Sequence, residues 1–250
     1  MFTYSFTVKN INKTIFFRAA VVVSILGLIL FSLFTQETLA ASQDRGFTFN
    51  SSGDKYVNIS DTEQTGLDII GDMTISMWVK PTALAEHMIL ASKWNHVEKT
   101  SYLLFLEDGG VGIALNSNTS GYGYKVYRVS HGKNANEWFH ISMVYTAAIG
   151  TVQFFVDGVS IGTSPTNLMP NSIANTDADF VIGGRDNKTN FYDGTIDDVR
   201  IWSRALTSAM INDLYQNPNS FKNGELLQGY WKFNGNLKDY SENKNHLNVQ

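Results

Sequence analysis

Cysteine is absent from this chain of 250 residues, and proline occurs only four times. Without cysteine there is no disulfide, no thiolate ligand for a metal and no lipid anchor on an N-terminal cysteine. The sequence also lacks a phosphate-binding loop, a G-x-S-x-G elbow and an H-E-x-x-H zinc motif. Twenty glycines and 13% aromatic residues favour many short strands joined by glycine turns.

Long apolar runs are equally scarce, and the longest is the uncharged segment 19–34 near the N-terminus. Three basic residues precede it, the first acidic residue is Glu37, and small residues follow at 38–41. This order is typical of a secretory signal peptide. A retained membrane anchor is the alternative, although a spanning helix needs roughly 20 apolar residues.

Both interpretations of residues 1–40 predict export. A cleaved signal peptide would release the protein to the extracellular space, whereas a retained anchor would attach it to the cell surface through residues 19–34. The remainder, 42–250, has the length of one domain. Removing the four charged residues of 1–40 from the 19 basic and 23 acidic residues leaves a net charge of −6. A surface of this charge repels phosphate backbones, so we do not expect nucleic acid as a partner.

Periodicity predicts an all-β chain. Met73–Lys80 alternates apolar and polar residues and ends at Pro81, as a two-faced strand does. The segment 151–162 predicts a hairpin around Asp157-Gly158. The one predicted helix, 208–216, has Thr207 as its N-cap. About ten short strands and one helix near the C-terminus predict a two-sheet sandwich or jelly roll.

Four segments carry a resemblance to a known family. Phe47–Ile59, Met73–Pro81, Trp138–Gly158 and Ile182–Leu206 are similar in order and spacing to the laminin-G-like jelly-roll domains. The last contains G-T-I-D-D-V-R-I-W-S-R-A-L, the most specific of the four. This family is related to pentraxins and to the concanavalin A-like lectins and glucanases. The resemblance covers residues 45–216 and implies an antiparallel jelly-roll sandwich of two sheets.

The segment 227–246 departs from the family order, because it resembles the first strand of the family but follows the last motif. It either closes the same sandwich from its other end or begins a second module. An unpaired edge strand invites aggregation, which favours the first placement.

The resemblance also implies a structural calcium ion. Calcium takes six to eight oxygen ligands, and carboxylates and amides from separate loops supply them. Such residues also make turns without a metal. The candidate ligands are Asp54, Asp197, Asp198, Asp239, Asn243 and Asn245.

Loop aromatics with polar neighbours point to sugar binding. Sugar rings stack on aromatic planes, and their hydroxyls bond to Asn, Asp or Arg. Most aromatics in a sandwich are nevertheless core residues. The candidate ligand-binding residues are Trp94, Asn95, Tyr124, Arg185, Asp186 and Tyr192.

We therefore expect an exported, non-catalytic module that binds carbohydrate or a glycoconjugate with the help of calcium. Its partner would be a glycan, a glycoprotein or a matrix component. The paired-glutamate strand motif of glucanases is absent from the sequence. The alternatives are an adhesive surface domain with a protein partner and an accessory domain of a glycoside hydrolase.

Overall fold

Two antiparallel sheets of seven strands each pack face to face. The computed structural model describes residues 46–50, 55–84, 87–95, 99–117, 123–185, 190–219, 221 and 224–250. The predicted leader, 1–40, lies outside these residues. No described helix is long and apolar enough to cross a membrane.

Sheet A has the order β1-β12-β3-β8-β9-β10, and β13 also pairs with β12. Its strands are β1 (Phe47–Phe49), β3 (Met73–Pro81), β8 (Phe139–Thr146), β9 (Thr151–Val156), β10 (Val159–Thr163), β12 (Gly194–Trp202) and β13 (Leu227–Trp231).

Sheet B has the order β14-β2-β11-β4-β5-β6-β7. Its strands are β2 (Val57–Ile59), β4 (Met88–Asn95), β5 (Lys99–Glu107), β6 (Gly110–Leu115), β7 (Lys125–Ser130), β11 (Phe180–Ile182) and β14 (Asn248–Val249). The predicted fold class is confirmed, and helix α1 (Ser208–Gln216) has the predicted bounds.

The core lies between the two sheets. The predicted apolar face of β3, from Met73 to Val79, is fully buried there. Tyr102, Leu104 and Leu106 of β5 face it from sheet B. The Asp157-Gly158 turn has positive φ at both residues, 49° and 77°, as a two-residue hairpin of this kind requires.

The other face of β3 is also buried, although its alternation predicts a polar face. Thr74, Ser76 and Trp78 are at most 5% exposed. Helix α1 and its flanking residues cover this side of sheet A. The Thr74 hydroxyl donates to the carbonyl of Arg204 at 2.7 Å, and the Trp78 ring lies 5.6 Å from that of Tyr215.

The C-terminal segment belongs to both sheets. β13 pairs with β12 in sheet A, and β14 pairs with β2 in sheet B. Trp231 of β13 is fully buried and stacks on Phe180 of β11 across the core, with ring centroids 5.3 Å apart. Residues 227–250 therefore close this sandwich, which is the first of the two placements that the sequence leaves open.

Candidate functional site

The outer face of sheet B carries a second apolar cluster, on the side opposite the core. Every second residue of β5 and β6 faces the core, and the residues between them face outwards. The outward cluster consists of Ile89, Trp94, Leu103, Phe105 and Ala114. A sheet with one fully solvated side would carry polar residues at these positions, so this face is built differently.

The centre of this face is the ring of Phe105. It lies across β6 at Gly112, where a Cβ atom would come within 2.3 Å of the ring. The imidazole of His87 also packs on this ring, with ring centroids 4.6 Å apart. Glycine at position 112 therefore makes room for Phe105, and Phe105 supports His87.

His87 links a carboxylate to a guanidinium. Its Nδ1 lies 3.1 Å from Oε1 of Glu107, and its Nε2 lies 3.4 Å from Nη2 of Arg185. Because Glu107 can only accept, the proton belongs on Nδ1 and Nε2 accepts from Arg185. Burial lowers the pKa of His87, which favours the neutral ring.

Arg185 is half-buried and carries a charge without a carboxylate partner among the described residues. Its Nε is buried and makes no hydrogen bond to any residue that the structure describes. Burial is the main reason why its pKa is lowered, and the nearby Tyr124 opposes that shift. Arg128, in contrast, has its Nη1 2.6 Å from Oε2 of Glu107.

The aromatic part of this face is a pair of rings. Trp94 is only 5% exposed, whereas Tyr124 is 47% exposed. Their rings meet edge to face with centroids 5.2 Å apart. The buried Trp94 ring supports the Tyr124 ring, which is open to solvent. Asn95 ends β4 next to this pair and is partly buried.

Of the residues predicted to bind a ligand, the structure brings Trp94 and Tyr124 into contact, whereas Arg185 contacts His87. Asp186 lies outside the described residues. Sequence reasoning missed three other members of the site: His87, Phe105 and Glu107. Large apolar residues at both alternating sets of β5 positions were the signal that could have revealed a second covered face.

Tyr192 was predicted as a ligand contact, and that prediction is wrong. It is fully buried in the core, edge to face with Phe49 at 6.0 Å. Its hydroxyl donates to the carbonyl of Thr195 at 3.4 Å. Its place just before β12 made it resemble a surface aromatic at a strand end, but its ring packs between the sheets.

The predicted calcium ligands of the C-terminal segment make hydrogen bonds within the chain. The Asp239 carboxylate accepts four, from the backbone N–H groups of Tyr230, Ser241 and Asn245 and from the Ser241 hydroxyl, at 2.7–2.8 Å. Asn245 bridges Thr65 and Gln228. With Asp239 satisfied by four donors, this set does not fit a calcium ion and instead organises the turn.

Asn243 has the same kind of role. Its amide nitrogen donates to the carbonyl and to Oε1 of Gln228, both at 3.0 Å. Gln228 lies in β13, so Asn243 ties the segment after β13 back to that strand.

Asp197 and Asp198 lie at a bulge in β12, where the register with β3 shifts. Asp198 has a φ of +53° and accepts from the Tyr230 hydroxyl at 2.8 Å. Burial, followed by the charge of Asp198, raises the pKa of Asp197 to about 7. Asp54 lies outside the described residues, and the described residues contain no group of three metal-ligating His, Cys, Asp or Glu side chains.

The fold and the sequence together identify the family. The family model described as the concanavalin A-like lectin/glucanases superfamily (Laminin_G_3) matches residues 51–212. The chain belongs to this superfamily. A stretch of 154 residues, 60% of this chain, is 25% identical to part of the adhesion G-protein coupled receptor V1 of Danio rerio. The match spans only 2% of that receptor.

Solved structures share this superfamily fold. A candidate carbohydrate binding protein of Bacteroides ovatus is similar with a TM-score of 0.59 and 19% identity, over 81% of this chain and 58% of that one. The heptameric pentraxin of Limulus polyphemus is similar with a TM-score of 0.54 and 16% identity, over 83% of this chain and 90% of that one. The CBM40 domain of the Ruminococcus gnavus sialidase was solved bound to α2,3 sialyllactose. It is similar with a TM-score of 0.53 and 14% identity, over 69% of this chain and 97% of that one.

Proposed function

We propose that this chain is an exported, non-catalytic module that recognises carbohydrate through the outer face of sheet B. The observation that carries the proposal is the exposed ring of Tyr124, which Trp94 supports, on the face that also carries Arg185. A sugar ring stacks on such a surface, and its polar groups bond to the neighbouring Arg and Asn side chains.

The relatives support binding rather than conversion. One solved structure is described as a candidate carbohydrate binding protein, and another is bound to sialyllactose. In this chain, carboxylates on the outer face of sheet B are paired: Glu107 with His87 and Arg128, and Asp108 with Arg128. None of these pairs has the two facing carboxylates that retaining hydrolysis needs.

A glycan array with the 250-residue chain tests the proposal. We expect Tyr124→Ala to abolish most of the signal, because the exposed ring supplies the stacking surface. Tyr240→Ala is the matched control, since Tyr240 is 46% exposed. It lines a separate cavity of about 520 Å³ together with Glu225, Leu226 and Glu242. Loss of binding in Tyr240→Ala alone would move the site to that cavity.

The adhesive alternative rests on the adhesion receptor relative. It predicts that no glycan binds, with or without calcium, and that the chain instead captures a protein at the cell surface. An array without signal for the wild-type chain would favour this alternative over the carbohydrate proposal.

Calcium dependence is a separate part of the proposal. We expect calcium to raise the melting temperature if Asp54, Asp197 or Asp198 helps to hold the ion. Thermal unfolding in calcium and in EDTA measures this directly. Identical transitions in the two buffers would remove calcium from the proposal and leave the sugar site in place.

A further inference from the structure

We propose that the chain forms a two-fold dimer in which strand β7 pairs antiparallel with β7 of a second copy. This pairing joins sheet B of the two copies into one sheet. Strand β7 stands at the end of the strand order of sheet B, where β6 is its neighbour. The dimer does not depend on the proposed function, because it uses the open edge of sheet B and not the ligand on its face.

One row of backbone groups of β7 points away from the sheet. The N–H of His131 donates to the carbonyl of Gly109 at 3.1 Å, which continues the register of β6 and β7 by one pair. Because hydrogen-bonded pairs alternate along an antiparallel ladder, the odd-numbered residues of β7 bond to β6. The N–H and C=O groups of Val126, Arg128 and Ser130 therefore point outwards. No described residue bonds to them.

This edge is accessible and regular. Val126 is 44% exposed, and Lys125, Arg128 and Ser130 are exposed as well. The strand pairs with β6 without a shift in register and contains no proline. Bulges, prolines and very short strands are the usual protections of a sheet edge against pairing with another chain. Strand β7 has none of these three.

The other edges are protected in these ways. Strand β10, at the edge of sheet A, is interrupted by a bulge between Ser160 and Gly162. Strand β14, at the far edge of sheet B, has two residues, and β1 has three. Strand β13 pairs with β12 through an irregular register. The six residues of β7 are therefore the longest regular open edge in the part of the chain that the structure describes.

The side chains of β7 fit a second copy of the same strand. With the two-fold axis at Tyr127, Val126 lies opposite the partner's Arg128, and Lys125 lies opposite the partner's Val129. No two cations then face each other, which matters because directly opposed like charges destabilise a sheet. The two pairs of Val126 and Arg128 exchange about four backbone hydrogen bonds.

The charge of Arg128 selects this register. Its guanidinium lies 2.6 Å from Glu107 and 3.7 Å from Asp108 of the same chain, so it needs no anion from a partner. An axis at Arg128 would instead set two guanidinium groups against each other. We therefore place the axis at Tyr127.

The symmetry of the dimer keeps the two outer faces together. A two-fold axis perpendicular to the sheet leaves both outer faces on the same side. In this register Tyr124 lies opposite the partner's Ser130, which is about 20 Å along the strand from the partner's Tyr124. The dimer thus presents both exposed rings to one multivalent glycan, a consequence that rests on the proposed function.

Sedimentation velocity of the 250-residue chain tests the dimer. A single strand pair buries less than the roughly 1,200 Å² of most stable interfaces, so we expect a weak dimer whose fraction rises between about 1 and 100 μM. Val126→Pro removes an outward N–H but no bond to β6, and it should abolish the dimer. Val126→Thr keeps that N–H and is the matched control, which should dimerise like the wild type.

Cysteine substitutions test the register, because the chain has no cysteine of its own. We expect a disulfide-linked dimer from an equimolar mixture of Val126→Cys and Arg128→Cys proteins, and much less from either protein alone. These two variants also decide the question if thermal unfolding shows that Val126→Pro does not fold.

Three outcomes would overturn the proposal. A wild-type chain that stays monomeric up to about 100 μM would leave β7 for a strand of another protein. Association that is equal in the wild type and in folded Val126→Pro would belong to another surface. Cross-linking that is as efficient in either cysteine variant alone as in the mixture would contradict the pairing. None of these outcomes affects the glycan array, which tests the proposed function by itself.

Discussion

At the scale of the residue, exposure separates two aromatic side chains that look alike in the sequence. Tyr124 and Tyr192 both follow glycine-containing loops. Tyr124 is 47% exposed, whereas Tyr192 is fully buried. Neither residue lies in a stretch whose alternation fixes its direction, so the sequence could not distinguish them.

Tyr192→Ala should therefore destabilise the fold. Removing a fully buried aromatic ring leaves a cavity and costs about 3 kcal/mol or more of the free energy of unfolding. Tyr124→Ala should cost less, about 1 kcal/mol, because nearly half of the residue is already exposed and the main loss is its edge-to-face contact with Trp94. Urea unfolding of the two variants beside the wild type measures the difference. A Tyr192→Ala protein as stable as the wild type would contradict the core assignment.

At the scale of the element, helix α1 is a cover. Its Thr207 N-cap accepts a hydrogen bond from the N–H of Met210 at 3.3 Å, and Ile211 and Leu214 pack on Trp202 of sheet A. The N-cap and the bounds were predicted from sequence, because capping and apolar spacing are local signals. That the helix buries the polar face of β3 depends on distant contacts and was not predicted.

Thr207→Ala should lower the stability of the whole domain, because α1 covers the outer side of sheet A. Loss of an N-cap costs about 1 kcal/mol. Thr207→Ser keeps the hydroxyl and should stay close to the wild type, and urea midpoints of the three proteins give the comparison. Equal losses in both variants would mean that packing of the threonine methyl, rather than capping, stabilises this helix.

The bulge in β12 is a second feature that local alternation of the sequence does not predict. Strict alternation places Asp197 and Asp198 on opposite faces. In the structure the core positions are Ile196, Val199 and Ile201, so the spacing is three and then two. The extra residue is accommodated by the positive φ of Asp198. This spacing is visible in the sequence and could have indicated the bulge.

At the scale of the whole molecule, pH should act through a buried histidine. His140 is 2% exposed, its Nε2 lies 2.7 Å from Oγ of Ser76, and its Nδ1 has no hydrogen-bond partner in the described part of the chain. Burial, followed by the charge of Arg200, lowers the pKa of His140 to about 3, from 6.5. Between these values the unfolded chain binds a proton that the folded chain does not.

Stability should therefore fall as the pH drops from about 6.5 towards about 3, with His140 contributing up to about 1.4 kcal/mol per pH unit. Asp197, whose pKa is raised to about 7, has the opposite effect. The difference between wild type and His140→Gln isolates the histidine, since glutamine can still bond to Ser76. Urea unfolding of both proteins at pH 7 and pH 5 gives that difference. Parallel losses in the two proteins would exclude His140 as the cause.

The sequence by itself determined the strands with clear alternation, the helix and its cap, the Asp157-Gly158 turn and the family. These features depend on neighbours a few residues apart, where steric and hydrogen-bonding preferences act directly. Only the tertiary structure decided which aromatic rings reach solvent, that Asp239 is satisfied by four donors, and that Arg185 contacts His87. Those outcomes depend on contacts between strands far apart in the chain, and no local pattern encodes how much water or how many partners a side chain finds there.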